Sequence, residues 1–369
     1  MLLLVLDAPP GTQAATLDVD AAFRRVPIHP SQQWFFVVSW RDLCYIDHCA
    51  PFGPSSSPGI FGQIADAMPA LLTSNHIGPL KKWNHWVGPG SFLRHFPFNS
   101  TFKYVGFRWD LNAKTVEIPD TKKTRYLTKL EVWVRGSKFN RKEAESVHGT
   151  LVHCAMAIRD GRSRLPAILA FAASFSHTSS NFSKRSPNAT VLSDINWWRQ
   201  QLNLPFCGSI LIRPPLVSSI PFWVDTSTSW GIGVVFDTVW ASWRFQAGWE
   251  ADGRKIGWVQ MLAVEFGLLL AIRRGHENIH FHILSDNQGV LGAVDSGKSR
   301  NPEQNRVLRR IVALLRTHTL WITTSYTPSA DNLADGPSRG IPLSIPGFSR
   351  SFAPFKIPYY VSNLIVDSP

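Results

Sequence analysis

The stretch PFWVDTSTSWGIGVVF, residues 221–236, decides the fold class of the C-terminal part of this chain. Two apolar runs flank the small residues Thr-Ser-Thr-Ser, a pattern that predicts two strands joined by a short turn. The following segment, WASWRFQAGW at residues 240–249, alternates apolar and polar residues and predicts a third strand. Three strands are therefore expected before the first helix of this part of the chain.

Helices and strands alternate after these three strands. Apolar residues recur at helical spacing between Gln260 and Arg274, which predicts a helix long enough to cover one face of a sheet. The segments IHFHILSD (279–286) and LWITTSYT (320–327) predict two further strands, and RNPEQNRVLRRIVALLRTH (300–318) predicts the helix between them. The resulting order, β-β-β-α-β-α-β-α, predicts a mixed five-stranded sheet with flanking helices.

Four acids stand at positions in this order where they could act together: Asp225, Glu265, Asp286 and Asp335. Any one of them alone is more simply explained as a cap or turn residue. A lone carboxylate inside an apolar run, as at Glu265, needs a cation or a metal as partner. Several carboxylates at strand ends would form a hard oxygen site for Mg²⁺ or Mn²⁺, and two such ions can support phosphodiester hydrolysis.

The charge balance points to a polyanionic partner. The chain has 38 Lys plus Arg against 26 Asp plus Glu, a formal net charge of +12, yet only 17% of its residues are charged and 44% are hydrophobic. Such a composition excludes a charge-driven disordered chain, because enough apolar residues are present to build cores. We therefore expect a folded protein that binds a polyanion, most often nucleic acid.

Cysteine usage and hydropathy predict the compartment. The four cysteines are too few for a disulfide scaffold in 369 residues, which favours a reducing, intracellular setting, nuclear or cytoplasmic rather than secreted. A zinc site at Cys44, His48 and Cys49 is a weaker interpretation than plain buried thiols, since no second ligand pair follows. No window of 18 uninterrupted apolar residues occurs, so no membrane span is expected.

Composition also suggests where the chain divides. The least structured stretch is the Ser-rich segment at residues 172–190, which we interpret as a linker. Residues 1–120 are punctuated by Pro and Gly, and residues 121–218 carry helical periodicity around that linker. The sheet-forming part covers residues 219–340, and residues 341–369 are expected to be a C-terminal tail.

Four blocks of the C-terminal part resemble the ribonuclease H domain of retrotransposon polyproteins, in the order of that family. They are WVDTSTSWGIGVVF, MLAVEFGLLLAI, ILSDNQGVLGAVDSGKSRNPEQN and YTPSADNLADGPSRG. The resemblance implies that Asp225, Glu265 and Asp286 bind the metal ions, with Asp335 as the fourth, more variable acid and Asp331 as its competitor. It also implies that an RNA–DNA hybrid is held by Ser285, Asn287, Arg306, Arg309 and Arg310.

The N-terminal part resembles the palm of the reverse transcriptases encoded by the same polyproteins. LDVDAAFRRVPIHPSQQWFFVV (17–38) is similar to the first palm motif, with Asp18 as its metal-binding acid, and PFGPSSSPGIFGQ (51–63) is similar to the next block. YVGFRWDL (104–111) is similar to the primer-holding hairpin. The resemblance implies a fold of α+β and α/β class, in which a truncated palm and thumb remnant precedes the ribonuclease H-like sheet.

Two departures from this family bear on polymerase activity. The fingers expected ahead of Asp18 are absent, and residues 85–90, HWVGPG, stand where the family has a paired Asp-Asp motif. Phosphoryl transfer needs that second carboxylate to hold both metal ions, and Asp66 is a poor substitute. Polymerase activity is therefore predicted to be lost, and Asp18 to be vestigial.

Three hypotheses about function follow. The first is a retroelement-derived enzyme that hydrolyses the RNA strand of RNA–DNA hybrids with Mg²⁺ or Mn²⁺. The second is a catalytically inactive protein that only binds nucleic acid, and the third is a poorly folded relic. Retroelement proteins are possible further partners, and the sequence leaves the oligomeric state open.

Overall fold

The computed structural model describes residues 1–18, 27–49, 94–175, 183–252, 254–352 and 354–367. The described chain forms two compact units. One comprises Met1–Asp7, Gly106–Arg108 and Ala113–Pro369, and the other comprises Ala8–Val105 and Trp109–Asn112. The candidate site lies in the first of these units, so that unit is described first.

The larger unit is built on one mixed sheet. Its five longest strands are β9 (Phe222–Ser227), β10 (Gly231–Phe236), β11 (Val239–Phe245), β12 (His280–Ser285) and β13 (Trp321–Tyr326). They lie in the order β13-β12-β9-β10-β11, with β9 in the middle. Strands β9, β10 and β11 form an antiparallel meander, while β12 runs parallel to both β9 and β13.

Helices cover this sheet because their sequences supply the apolar surface that it needs. Helix α6 (Ile256–Arg273) is apolar nearly all round, and it is buried between β9 and β10 on one side and α8 (Pro302–Thr317) on the other. Helix α6 is long and apolar enough to cross a membrane by composition, but 72% of its most apolar window is buried inside the fold. Its apolar character is therefore explained by the core that it fills.

Three helices shorter than α6 follow β12 in the described part of the chain. Helix α7 (Gln288–Ser296) ends at Gly297, whose φ of 69° is left-handed, as is usual after a helix end. Asn301 caps the start of α8 by accepting hydrogen bonds from the backbone N–H groups of Glu303 and Gln304. The four-residue helix α9 (Asp335–Ser338) packs on β9 and β10.

The C-terminal segment adds two short strands to this sheet, so that it has seven strands in all among the described residues. Strand β14 (Ser349–Arg350) runs parallel to β11 at Val239 and Trp240. Strand β15 (Ile365–Asp367) runs antiparallel to β11 at Trp243, Arg244 and Phe245. The tail thus lies along the side of β11 opposite to β10.

The remainder of the larger unit is mostly helical. A helical series runs through α2 (Asp120–Glu131), α3 (Arg141–Ala157), a 3₁₀ turn (Arg159–Arg164), α4 (Pro166–Ala173) and α5 (Ala189–Leu202). Helix α3 begins with a capping box in which Asn140 and Glu143 satisfy each other's backbone N–H groups. Strands β7 (Thr115–Glu117) and β8 (Gly208–Ile210) pair antiparallel, and α1 spans Leu2–Asp7.

In the smaller unit, β1 (Ala14–Asp18) pairs antiparallel with β4 (Arg94–Asn99), and β2 (Val37–Trp40) pairs with β3 (Leu43–Ile46). A 3₁₀ turn spans Pro30–Phe35. Strands β5 (Thr101–Tyr104) and β6 (Phe107–Asp110) follow β4 in the chain. They are joined by Val105 and Gly106, both with positive φ, which matches the hairpin predicted at residues 104–111.

The predicted fold class, a mixed α and β chain with a ribonuclease H-like sheet, is confirmed by this strand order and these connections. Two details of the predicted element order were wrong. Helix α7 lies between β12 and α8 and was not foreseen, and the sheet has seven strands rather than five because β14 and β15 of the expected tail pair with β11. The sequence of α7, QGVLGAVDS, holds two glycines that lower helix propensity and hide the helical period.

Candidate functional site

Asp225 lies in the central strand β9, near the middle of the larger unit. Only 3% of Asp225 is exposed. Its Oδ2 accepts a hydrogen bond of 2.8 Å from the hydroxyl of Ser338, and its Oδ1 accepts one of 3.3 Å from Nε2 of Gln260. The carboxylate is thus buried, with neutral donors as the partners of both oxygens.

Asp286 directly follows β12, the parallel neighbour of β9, and so reaches the same edge of the sheet. Its Oδ2 accepts a hydrogen bond of 2.6 Å from the hydroxyl of Ser329. Burial raises the pKa of Asp225 to about 6. The bond from Ser338 opposes that rise, and the charge of Asp286 adds to it. The charge of Asp286 thus acts on the carboxylate of Asp225.

Helix α9 reaches Asp225 because the opposite strand carries glycine. Gly233 of β10 is the cross-strand partner of Asp225. A Cβ atom at Gly233 would lie 2.4 Å from the carbonyl oxygen of Ala334 and 2.5 Å from the amide nitrogen of Ser338. Only glycine allows the α9 backbone to approach this closely, and that approach brings the Ser338 hydroxyl to the carboxylate.

Asp335 begins α9, and its carboxylate accepts hydrogen bonds of 3.0 and 3.1 Å from Nε of Arg339. The hydrogen bonds with Asp335 raise the pKa of Arg339, and the charges of Asp225 and Asp286 raise it further. Asp331 is exposed in the 3₁₀ turn Ser329–Asp331 and is not among those charges. Of the two candidates for the fourth acid, Asp335 is therefore the one whose partner Arg339 also responds to the charges of Asp225 and Asp286.

Glu265 does not join this group. Its two oxygens accept hydrogen bonds of 2.7 and 2.9 Å from Nε and Nη2 of Arg310, and Oε1 accepts a third of 2.6 Å from the hydroxyl of Tyr360. Only 1% of Glu265 is exposed, and the Arg310 guanidinium also lies 3.8 Å from the centre of the Tyr360 ring. The expectation that Glu265 meets the other acids at the sheet edge is therefore not met.

The residue of α6 that does face Asp225 is Gln260. Its Oε1 accepts a hydrogen bond of 3.5 Å from the Ser285 hydroxyl, while its Nε2 donates to Asp225. Gly267, two helical turns later on the same face, packs on Phe222 and Val224 of β9. Glu265 is five residues from Gln260 and so points about 140° away around the helix axis, toward α8.

The donor set fits a two-metal site poorly. Within the described ranges, no three His, Cys, Asp or Glu side chains form a group that could hold a metal ion. The position on α6 that contacts Asp225 carries a neutral carboxamide, and the nearest acid of that helix is engaged by Arg310 and Tyr360. Hard divalent cations prefer carboxylate oxygens, so the site lacks one of the ligands that the sequence predicted.

The structure also revises the residues expected to hold nucleic acid. Arg310 is engaged by Glu265, and Arg309 lies 2.9 Å from the buried carboxylate of Asp194. Ser285 is fully buried, and Asn287 caps α7 by accepting from the amide of Val290. Arg306 alone of these five is exposed, and it lies 2.8 Å from Glu303. Arg309, Arg310 and Ser285 are therefore structural residues, because nucleic acid could reach them only by breaking buried pairs.

The proposed polymerase residues fall largely outside the described residues. This is so for residues 51–63, for Asp66, for residues 85–90 and for the side chain of Asp18. The backbone of Asp18 ends β1, opposite Arg94 of β4. Its vestigial role stays a prediction.

Sequence reasoning missed three residues of the site: Gln260, Ser338 and Arg339. Gln260 carried a readable signal, since it is a buried polar residue at the start of an apolar helical run and needs a polar partner inside the fold. Ser338 and Arg339 carried none, because their approach to Asp225 depends on how α9 packs against Gly233.

No protein-family model matches this sequence, and no curated protein matches it. Among solved structures, the chain is similar to the foamy viral protease-reverse transcriptase in complex with an RNA/DNA hybrid, with 13% identity and a TM-score of 0.43 over 93% of this chain and 47% of that chain. It is also similar to the same viral protein in complex with dsDNA, with 14% identity and a TM-score of 0.40 over 89% of this chain and 70% of that one. The chain thus spans about half the length of the first of these structures.

Proposed function

We propose that this chain is a retroelement-type nucleic-acid-binding protein whose ribonuclease H-like unit binds RNA–DNA hybrids but cleaves them weakly. The observation that carries the proposal is that Gln260, and not Glu265, is the residue of α6 that contacts Asp225. Neutral Gln260 contacts Asp225, while Glu265 is held by Arg310 and Tyr360. Hydrolysis of a phosphodiester by two metal ions needs carboxylates to hold both ions, and this site presents too few.

Charge and fold support the binding part of the proposal. The chain carries a formal net charge of +12, which favours association with a polyanion. The strand order of the sheet is that of the ribonuclease H-like class, and Asp225 and Asp286 interact at the edge where β9 and β12 end. An intracellular site of action and a retrotransposon origin belong to the same proposal.

The second candidate is metal-dependent hydrolysis of the RNA strand. The observation that favours it is that the charges of Asp335, Asp225 and Asp286 all raise the pKa of the Arg339 guanidinium. Asp225, Asp286 and Asp335 are the residues that would hold Mg²⁺ or Mn²⁺, which would supply a nucleophilic hydroxide. The lost polymerase activity is a separate proposal, and it rests on residues 85–90 alone.

Substitution of Gln260 by glutamate separates the two candidates. We expect the wild-type protein to bind a labelled RNA–DNA hybrid and to cleave it slowly in Mg²⁺. The Gln260→Glu variant should cleave faster by about tenfold or more, because it adds the missing carboxylate beside Asp225. The measurements are fluorescence anisotropy for binding and gel-resolved cleavage of the RNA strand.

Controls make the outcome interpretable. Gln200→Glu makes the same charge change on the exposed surface of α5 and should leave cleavage unchanged. Gln260→Glu combined with Asp286→Asn should lose the gain. In the absence of nuclease activity, a rise in melting temperature on adding Mg²⁺ that occurs in Gln260→Glu but not in Gln200→Glu reports metal binding directly.

Two results would contradict the proposal. Rapid cleavage by the wild type that Gln260→Glu does not raise, but Asp286→Asn abolishes, would establish the second candidate. A wild-type protein that shows no hybrid binding at low salt would exclude both candidates and favour a relic.

A further inference from the structure

Three exposed or half-exposed cations near α8 have no carboxylate partner among the described residues, unlike the arginines around them. Arg164, Arg309, Arg310 and Arg316 each lie within 3.0 Å of a carboxylate. Arg162, Lys298 and Arg300 form no ion pair within the part of the chain that is described. Cations that have no acidic partner and still gather at one place raise the local positive potential.

These cations gather at the turn that joins α7 to α8. Lys298 and Arg300 are exposed and flank Ser299 in that turn. A Cβ atom at Gly297 would stand 3.5 Å from Cδ of Arg162, so the stem of Arg162 lies against the same turn. Burial, and then the charge of Lys298, lower the pKa of His148 on α3, so the positive charge of this turn extends to that imidazole.

The backbone that carries Lys298 and Arg300 is held in place by buried side chains. Asn305, of which only 4% is exposed, accepts a hydrogen bond of 2.8 Å from the amide of Ser299 and donates to the Ser299 carbonyl. The Ser299 hydroxyl accepts a hydrogen bond of 3.1 Å from the amide of Asn301. The turn is therefore fixed before any ligand arrives, which lowers the entropy cost of binding.

Arg162 is held equally well from the other side. It belongs to the 3₁₀ turn Arg159–Arg164, which is fastened to α8 on both sides of it. Arg316 lies 2.8 Å from the carboxylate of Asp160, and Nη2 of Arg309 donates to the carbonyl of Ser163 at 3.1 Å. The contacts of Arg309 and Arg316 therefore hold the 3₁₀ turn in place, and with it Arg162, whose stem lies against the α7–α8 turn.

We propose that Arg162, Lys298 and Arg300, with His148 at their border, form a phosphate-binding surface for the backbone of a nucleic acid duplex. We call it the turn patch. This inference rests on the proposed function, which provides an RNA–DNA hybrid as the partner. It assigns the phosphate contacts to the turn patch rather than to the arginines of α8 that the sequence predicted. Duplex phosphates are a dense row of anions, and neutralising each of them releases condensed counterions.

The test is the salt dependence of hybrid binding. Fluorescence anisotropy of a labelled RNA–DNA hybrid, measured from low to moderate KCl, gives the slope of log Kobs against log salt. Lys298→Ala combined with Arg300→Ala should reduce the magnitude of that slope by about 2, since each lost phosphate contact removes roughly 0.9. Arg162→Ala should remove about one contact more.

The matched control removes the same net charge elsewhere. Arg273 at the end of α6 and Lys356 in the C-terminal segment are both exposed, and Arg273→Ala with Lys356→Ala should leave the slope unchanged. Far-ultraviolet circular dichroism and melting temperature confirm that each variant folds. Inorganic phosphate as a competitor shows whether the turn patch binds phosphate outside a duplex.

The outcomes separate this inference from the proposed function. If the wild type binds the hybrid and the turn-patch variant keeps the wild-type slope, only the turn patch is excluded. An equal loss of slope in the control variant also excludes it, because the effect is then one of net charge. If the wild type shows no salt-dependent binding, both proposals fall together.

Discussion

A buried carboxylate with only neutral donors beside it is the main electrostatic feature at the scale of single residues. Asp225 receives hydrogen bonds from Ser338 and Gln260, whereas Arg339 pairs with Asp335 and Arg310 pairs with Glu265. Hydrogen bonds from neutral donors do not fully replace hydration, so burial keeps the pKa of Asp225 at about 6. Asp225 therefore changes charge within a pH range in which the protein can be studied.

This shift predicts a pH-dependent stability difference for Asp225→Asn. Because the pKa is higher in the folded state than in the unfolded state, protonated Asp225 stabilises the fold below about pH 4, and this contribution is lost as the pH rises through 6. An asparagine carries no charge to bury. Relative to the wild type, Asp225→Asn should gain up to about 3 kcal/mol of unfolding free energy between pH 4 and pH 8.

Urea denaturation of both proteins at several pH values measures this difference. Asp295→Asn is the control, because Asp295 is exposed and bonded to Thr324, and its variant should show no such trend. A difference between Asp225→Asn and the wild type that stays constant from pH 4 to pH 8 would contradict the burial argument.

The same scale shows why the structure brings Asp225 and Asp286 together and holds Glu265 apart from them. Asp225 and Asp286 follow from strand ends, since parallel neighbouring strands bring their carboxyl ends to one edge. Glu265 was singled out as the lone acid of an apolar helical run that needs a cation or a metal, and the structure gives it the cation Arg310. Its assignment to the metal site failed because neither the run nor the motif fixes which way the helix is rotated. Gln260 and Glu265 lie on faces of α6 about 140° apart, and packing on β9 and on α8 selects between them.

At the scale of elements, Glu265 ties α6 to α8 and to the C-terminal segment. Arg310 of α8 and Tyr360 of the tail both bond to this one carboxylate. Burial, and then the Glu265 charge, raise the pKa of Tyr360, so its hydroxyl stays a donor at neutral pH. Removing one member of a buried charged cluster leaves the others without their partner.

Tyr360→Phe should therefore lower the unfolding free energy by about 1.5 to 3 kcal/mol, the usual value of a hydrogen bond to a charged group. Tyr359→Phe is the matched control, since Tyr359 is the adjacent residue and 89% of it is exposed. Chemical denaturation of the two variants gives the comparison. Equal losses in both, or none in either, would show that the Tyr360 hydroxyl does not bind Glu265 in solution.

Helices and strands could be predicted from the sequence where the buried apolar residues recur at a regular spacing. Strands β9 to β13 and helices α6 and α8 all appear where apolar spacing placed them, because each buries one face against the same core. Strands β14 and β15 did not, since they are two and three residues long and arise only by pairing with β11. Pairing of distant segments leaves no local pattern in either of them.

At the scale of the whole molecule, the described cations are of two kinds, those that pair with a carboxylate and those that do not. The arginines of α8 are mostly engaged by Asp194, Glu265 and Asp160, and they hold the helical series against the sheet unit. The second kind includes the cations of the turn patch. The sequence predicts a polyanionic partner from the net charge, but it could not say which cations are unpaired, because pairing is a property of the folded chain.

The path of the tail has a consequence for protein production. Strands β14 and β15 cover the backbone N–H and C=O groups along one side of β11, which would otherwise form an exposed edge rich in tryptophan and other apolar residues. An uncovered edge of this kind pairs with other copies of itself. A fragment that ends at Gly340, the last residue of the motif, should therefore aggregate at concentrations where residues 1–369 remain monodisperse by light scattering. Residues 341–369 resemble none of the motifs, yet an expressed fragment needs them to cover this side of β11.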